Sequence, residues 1–248
     1  MLPGGFDIKP LDDVMLRSDG SLNVVPSRKL NEFPVELLQL WCVKRGVYQY
    51  PTEELLEWLS QQTAGRRAIE ICAGNGAIGR ALGIVTTDSY MQTTPEIADY
   101  YNSLGQTPIM PPPDVLKLDA NEAVERYKPD VVIGAWVTEL WQPGDRMGSV
   151  WGVDELAILN RVATYIHIGN DGTHAYKRAM RKTHQLSRFG WLVSRAKNPP
   201  LNHIGVWSLA DPFTSAASSP PPAAGTTPGA AGGARHPGNY SSGAPAPN

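Results

Sequence analysis

The chain has 248 residues, 42% of them hydrophobic and 19% charged, with a formal net charge of −2 and a sequence isoelectric point near 6.2. That balance removes any general electrostatic drive toward nucleic acid or an anionic membrane, and two cysteines, Cys42 and Cys72, are too few for a disulfide framework. Asp7, Asp12 and Asp13 stand where a leader peptide would carry basic residues, and no apolar run approaches spanning length, so the expected setting is soluble and cytoplasmic.

Residues 1–47 read as an N-terminal extension with one helix. The first 32 are polar and irregular; then Val35, Leu38, Trp41 and Cys42 recur at helical spacing until Gly46 stops the pattern. A second helix begins at Thr52, with acids in its first turn and Leu55, Leu56 and Leu59 on one face. Between the helices, Tyr48, Tyr50, Pro51 and Thr52 read as aromatic packing followed by an N-cap.

The segment Ala68–Gly83 predicts strand, glycine turn and helix. Ala68–Cys72 is apolar apart from Glu70, Gly74 and Gly76 permit a tight turn, and Ala77–Leu82 suits a helix lying close on a sheet. Such a turn is expected to aim free backbone N–H groups at a ligand, with no Cβ in the way. Glu70 can accept from a cationic or hydroxylated group. The spacing Gly74-x-Gly76-x-x-Gly79 also satisfies the dinucleotide fingerprint, so spacing alone leaves two cofactor classes open.

Asp88 then ends a second predicted strand, where it can accept from both hydroxyls of a ribose. DVLKLDA predicts a third strand ending at Asp119 and Ala120, and Pro129–Val137 is the continuous apolar run of a buried fourth strand. Ligands of open α/β sheets bind beyond the carboxyl ends of the strands. The polar loop Val137–Glu155 should therefore face substrate, with Trp136, Glu139 and Trp141 lining an acceptor pocket and Glu139 the candidate general base.

Further on, DELAILNRVA predicts a helix, TYIHIGN a fifth strand, THAYKRAMRKTHQL a helix, GWLVSRAK a sixth strand and HIGVWSL a seventh. The link NPPLN is too brief for a helical crossover, so the last two strands must form an antiparallel hairpin. Lys177, Arg178, Arg181, Lys182 and Arg188 read as a solvated helix face. His167, His174, His184 and His203 lack zinc-ligand spacing with either cysteine and read as surface residues, with His174 within reach of the pocket. Residues 213–248 are mostly Ala, Gly, Pro, Ser and Thr and predict a disordered tail.

Glu70-x-Cys72-x-Gly74-x-Gly76 resembles motif I of the class I S-adenosylmethionine-dependent methyltransferases, with Cys72 where that family usually has glycine. The resemblance extends over roughly residues 48–210 and makes 48–212 the cofactor-binding domain. It implies an α/β fold: a seven-stranded, mostly parallel sheet with helices on both faces and an antiparallel β6–β7 hairpin. It also implies S-adenosylmethionine as cofactor. Glu70 would lie near the methionine amino group; Cys72, Ala73, Gly74, Asn75 and Gly76 would form the turn. Asp88 and Ser89 would meet the ribose, Asp119 and Ala120 the adenine, and Trp136 would border both cofactor and acceptor. The link holding Tyr48 falls where many such enzymes fold a loop over the cofactor.

The methyl acceptor, small molecule or macromolecule, is not identified by these motifs. Duplex DNA is disfavoured, because Asn198-Pro199-Pro200 ends in Leu201 and sits in the hairpin link, and neither cysteine follows a proline. No metal is expected. Asn170 and Asp171 have the reverse order of the magnesium-holding pair of catechol-type methyltransferases, and Glu139 would have to be the third ligand. The rival readings are an NAD(P)-dependent oxidoreductase and a catalytically inactive cofactor-binding scaffold.

Overall fold

The computed structural model describes residues 7–208 apart from Arg146; the tail expected at 213–248 lies outside them. Helices α1 (Lys9–Met15) and α2 (Ser27–Leu30) lie in a stretch whose polarity predicts no regular structure. A few apolar side chains hold them: Leu11, Met15 and Leu30 are wholly buried. With α3 (Val35–Lys44), which turns Leu38, Trp41 and Cys42 inward as its spacing predicts, they build a small core closed by Val47, Tyr50 and Val193. The Thr52 hydroxyl accepts the Leu55 N–H at 3.2 Å and caps α4 (Glu53–Thr63).

Strand β1 (Ala68–Ile71), helix α5 (Ala77–Leu82) and strand β2 (Val85–Asp88) follow the predicted order. Helix α6 (Pro95–Ser103) buries none of its residues, which is why no apolar stripe announces it. The third strand, β3, is only Leu116–Lys117. It ends there because Asp119 turns to cap α7 (Ala120–Tyr127), accepting the Asn121 N–H at 2.8 Å. Strand β4 (Val131–Ala135), helix α8 (Glu155–Leu159), strand β5 (Thr164–Asn170), helix α9 (Asp171–His174), strand β6 (Gln185–Ser187) and strand β7 (Asn202–Ser208) complete the chain order.

The seven strands form one sheet in the order β3-β2-β1-β4-β5-β7-β6. β1, β2, β3, β4 and β5 pair in parallel, and β7 lies antiparallel to both β5 and β6. Side chains alternate across the pleat. Ile69, Ile71, Val132 and Tyr165 therefore pack against Ala123, Val124 and Ile158 of α7 and α8. Val131, Ile133, Ile166 and Ile168 pack on the other face against Leu55, Leu59 and Ile78 of α4 and α5. The fold is α/β, as the sequence predicts.

Two predicted elements are corrected. THAYKRAMRKTHQL is not one helix: it holds the end of α9, a 3-10 turn at Ala179–Arg181 and the start of β6. Its basic residues are not all solvated, because Lys177 turns inward to a buried carboxylate. GWLVSRAK is not the sixth strand. Its backbone pairs with the segment before α4: the Tyr50 N–H donates to the Val193 carbonyl at 2.8 Å, Gln49 bridges Ser194, and the Arg195 N–H donates to the Tyr48 carbonyl at 3.2 Å. The hairpin with β7 is made instead by β6, and a link that includes the 3-10 turn Pro199–Leu201 joins them.

Candidate functional site

The turn after β1 is built on two glycines in the left-handed region, Gly74 at φ +55° and Gly76 at φ +67°. A Cβ at Gly76 would lie 2.5 Å from Val115 Cγ2, and one at Gly79 would press into Thr86 and Glu70, so α5 sits too close to the sheet for any side chain there. Glu70 runs beneath the turn and its Oε2 accepts the Gly79 N–H at 2.8 Å. Burial pushes its carboxyl up to about 8, and the nearby Asp88 charge adds to the effect. Asp88, at the tip of β2, accepts the Gly74 N–H at 2.9 Å and the Tyr90 N–H at 2.8 Å, and burial raises its carboxyl above the usual range.

Four N–H groups of the turn, expected to be free for a ligand, are committed within the chain. Ala73 donates to the Thr87 carbonyl, Gly74 to Asp88, Gly76 to the Ala73 carbonyl and Ala77 to Asn75 Oδ1. The chain's own acceptors take these donors because the turn is wound tightly against β2. What the glycines provide is steric access and curvature.

Beyond the carboxyl ends of β1, β2 and β4 lies a cavity of about 460 Å³, within the size range of ligand sites. Glu70, Cys72, Ala73, Gly74, Asn75, Asp88, Ser89, Asp119, Ala120 and Trp136 all line it; Gly76 does not, since it caps α5 behind the turn. Burial raises the Cys72 thiol well above the usual range, which suits a packing residue and not a nucleophile. Cys72, Tyr90 and Trp136 each take a positive φ, of 49°, 62° and 57°, at the tips of three neighbouring strands. Such strain persists only where surrounding structure over-determines it, and it clusters at ligand sites.

Several lining residues escape a reading by spacing: Gln92, Tyr101, Ile109 and Trp151 among them. Ile109 belongs to the segment that follows α6. The Ile109 N–H donates to Gln92 Oε1 at 2.9 Å and the Thr107 hydroxyl to the Lys44 carbonyl at 2.8 Å, which drapes this segment over the glycine turn. A Cβ on Gly74 would come within 3.0 Å of Ile109 Cδ1. Tyr48, which lines the cavity with Gly46 and Gln49 of the link before α4, lies between the Arg195 guanidinium, 4.3 Å from its ring centre, and the Trp136 ring at 5.9 Å.

A buried polar network holds the β4 side of the cavity. Lys177 Nζ donates to the Val137 carbonyl at 2.8 Å, lies 2.5 Å from Glu155 Oε2 and is 3.1 Å from His167 Nε2. The Tyr165 hydroxyl donates to the other Glu155 oxygen at 2.7 Å. Burial and the Lys177 charge hold His167 and His174 well below the usual histidine range. With His203 they pack ring against ring in the interior, so the expectation of surface residues is corrected for these three, while His184 is not buried.

Glu139, the expected base, does not line the cavity: its carboxylate is buried and accepts the Arg178 N–H at 2.9 and 3.0 Å and Arg178 Nε at 2.9 Å. Its work is to anchor the loop after β4. Trp141 also lies outside the cavity lining, 43% exposed, and Trp151 stands there in its place. Asp171 meets Arg188 and His203, and Asn170 bonds Asn202, so these residues and Glu139 do not converge. Among the described residues no group of three or more His, Cys, Asp or Glu side chains could hold a metal ion, and no helix is long and apolar enough to cross a membrane.

No family model and no curated protein matches the chain. Among solved structures, a Pyrococcus horikoshii protein assigned as an RNA methyltransferase shares 14% identity over 62% of this chain and 80% of its own, with a TM-score of 0.32. A Thermoplasma acidophilum protein shares 11% over 60% of this chain and 80% of its own, with a TM-score of 0.28. Likeness this remote adds nothing to the geometry of the site.

Proposed function

We propose that the chain is an S-adenosylmethionine-dependent methyltransferase. The observation that carries this reading is the convergence of Glu70, Asp88 and Asp119, from the β1, β2 and β3 ends of one sheet, on a single cavity beside a glycine turn. An acidic lining suits a ligand with a cationic sulfonium, an ammonium and a ribose diol. It does not suit a pyrophosphate, which needs helix N-terminal donors that Gly74, Gly76 and Ala77 have already committed. The antiparallel β7 is the further feature by which the sheet resembles the methyltransferases and not the dinucleotide folds.

The residues present fit that cofactor. Glu70 would face its amino end, Asp88 and Ser89 its ribose, and Asp119 and Ala120 its adenine, while Gly74 leaves room for its close approach. When bound, S-adenosylmethionine supplies a methyl carbon with a good leaving group attached. The protein is left to orient the acceptor and exclude water. Ile109 and Tyr101 cover the cofactor side, and the Trp136–Thr138 backbone, pinned by Lys177, bounds the acceptor side.

Calorimetry of the full chain against S-adenosylmethionine, S-adenosylhomocysteine and NAD tests this. Both adenosyl compounds should bind and NAD should not, and Gly74→Val should abolish binding while the circular dichroism spectrum stays native. Binding of NAD alone would return the protein to the oxidoreductase reading. Cofactor binding with no methyl transfer across a screen of small molecules, peptides and RNA would favour the inactive scaffold.

A further inference from the structure

We infer that the acceptor side of this cavity selects an uncharged, planar aromatic ring of a small molecule; the inference rests on the cofactor placement proposed above. The cavity has two chemically different halves. The half beside β1, β2 and β3 carries its charged groups, Glu70, Asp88, Asp119 and Lys117. The half formed by residues 46–49, 135–138 and 150–153 carries none among the described residues. Its side chains include Tyr48, Trp136, Thr138, Val150, Trp151 and Val153.

Among the described residues, the acids Glu139, Asp145 and Glu155 near this half are held by basic partners, and the Arg195 guanidinium lies over the Tyr48 ring at 4.3 Å without entering the lining. Arg178 pairs with Glu139 at 2.9 Å and faces Asp145 at 3.7 Å, and buried Lys177 is taken up by Glu155, His167 and the Val137 carbonyl. A charged acceptor entering here would lose hydration and meet no oppositely charged side chain in the described lining, which is costly. Phosphate-bearing acceptors meet the same obstacle.

The backbone that carries the aromatic wall is held by the chain itself. Val150 and Trp151 are 71% and 63% exposed, yet they stand on a loop tied down at both ends. The Ser149 N–H donates to the Glu139 carbonyl, Trp141 N–H to the Ser149 carbonyl and Val153 N–H to the Thr138 carbonyl, each at 2.8 or 2.9 Å. Gly152 has the Glu139 backbone where a Cβ would go, so this winding admits no other residue. An exposed tryptophan on a held backbone, facing a cavity, offers a flat apolar surface, and a planar ring is the shape that covers it best.

Three naphthalene probes of equal ring and different charge test the inference by calorimetry on the full chain saturated with S-adenosylhomocysteine at pH 7: 2-naphthol, 2-naphthalenesulfonate and 2-naphthylmethylammonium. The neutral ring should bind about tenfold or more tighter than either ion. Trp151→Ala should weaken it by about tenfold and leave the S-adenosylhomocysteine affinity within about twofold. Equal or tighter binding of an ionic probe, no binding of 2-naphthol, or an unchanged Trp151→Ala affinity overturns the inference. If S-adenosylhomocysteine does not bind while 2-naphthol does, the cofactor placement fails and the aromatic subsite stands. If the cofactor product binds and naphthol does not, the reverse holds.

Discussion

The backbone N–H of Gly74 donates to Asp88 Oδ2 at 2.9 Å, so the tip of β2 holds the turn that follows β1. Through its other oxygen the same carboxylate holds the Tyr90 N–H, and Tyr90 is itself at a positive φ. One side chain thus sets the backbone on two sides of the cavity. Asp88→Ala should lower stability by about 1–3 kcal/mol, the cost of leaving buried donors unmet, and should weaken S-adenosylhomocysteine more than Asp88→Asn, which keeps one acceptor. Urea melts and calorimetry read the two effects. Equal cofactor affinity in wild type and Asp88→Ala would remove Asp88 from the site.

Glu70 links stability to pH. Its folded carboxyl lies at about 8 because it is buried, against an ordinary value of 4.5. The folded state therefore binds more protons than the unfolded state between those values, and stability falls as pH rises from about 4.5 to 8, by at most about 1.4 kcal/mol per pH unit. Glu70→Gln should flatten that slope and keep the acceptor for the Gly79 N–H. A cationic ligand beside Glu70 should also expel its proton, so binding of S-adenosylmethionine near pH 7 should release protons in wild type and none from this site in Glu70→Gln. Calorimetry in buffers of different ionisation enthalpy counts them.

Gly79 is required by packing and not by backbone conformation. A Cβ there collides with Thr86 Cγ2 and crowds Glu70, so Gly79→Ala should cost about 1–3 kcal/mol by overpacking. Thr86→Ser removes the offending methyl while keeping the hydroxyl. Combined with Gly79→Ala it should recover part of the loss in thermal melts, and strict additivity of the two changes would count against the contact.

Lys177 and Glu155 form a buried pair, 5% and 1% exposed in their side chains. Lys177→Met leaves the carboxylate without its cation and should cost about 3–5 kcal/mol. The double variant Lys177→Met, Glu155→Gln should be more stable than Lys177→Met alone, since no buried charge is left uncompensated. Denaturant unfolding of the three proteins decides it. A single variant as stable as wild type would mean that the pair does not hold the loop after β4.

Much of the candidate site is legible because its signals are local. Gly74, Gly76 and Gly79 announce a turn and a close helix, and Asp88 and Asp119 each end an apolar run, features that depend on neighbours within a few residues. Errors arose where a residue's partner is distant in the chain. Glu139 looks like a base in its own loop, and only the approach of Arg178 shows it to be an anchor. Val193 looks like a strand residue, and only its pairing with Tyr50 explains its burial.

Periodicity and glycine placement alone thus established the α/β class, the first two strands, the turn between β1 and α5, and the acids beside it. Tertiary contacts decided which tryptophan enters the cavity, which lysine leaves solvent, and where the sixth strand lies. The physical reason is that backbone preference acts over a few residues, whereas the fate of a charge or an aromatic ring depends on what the folded chain brings against it.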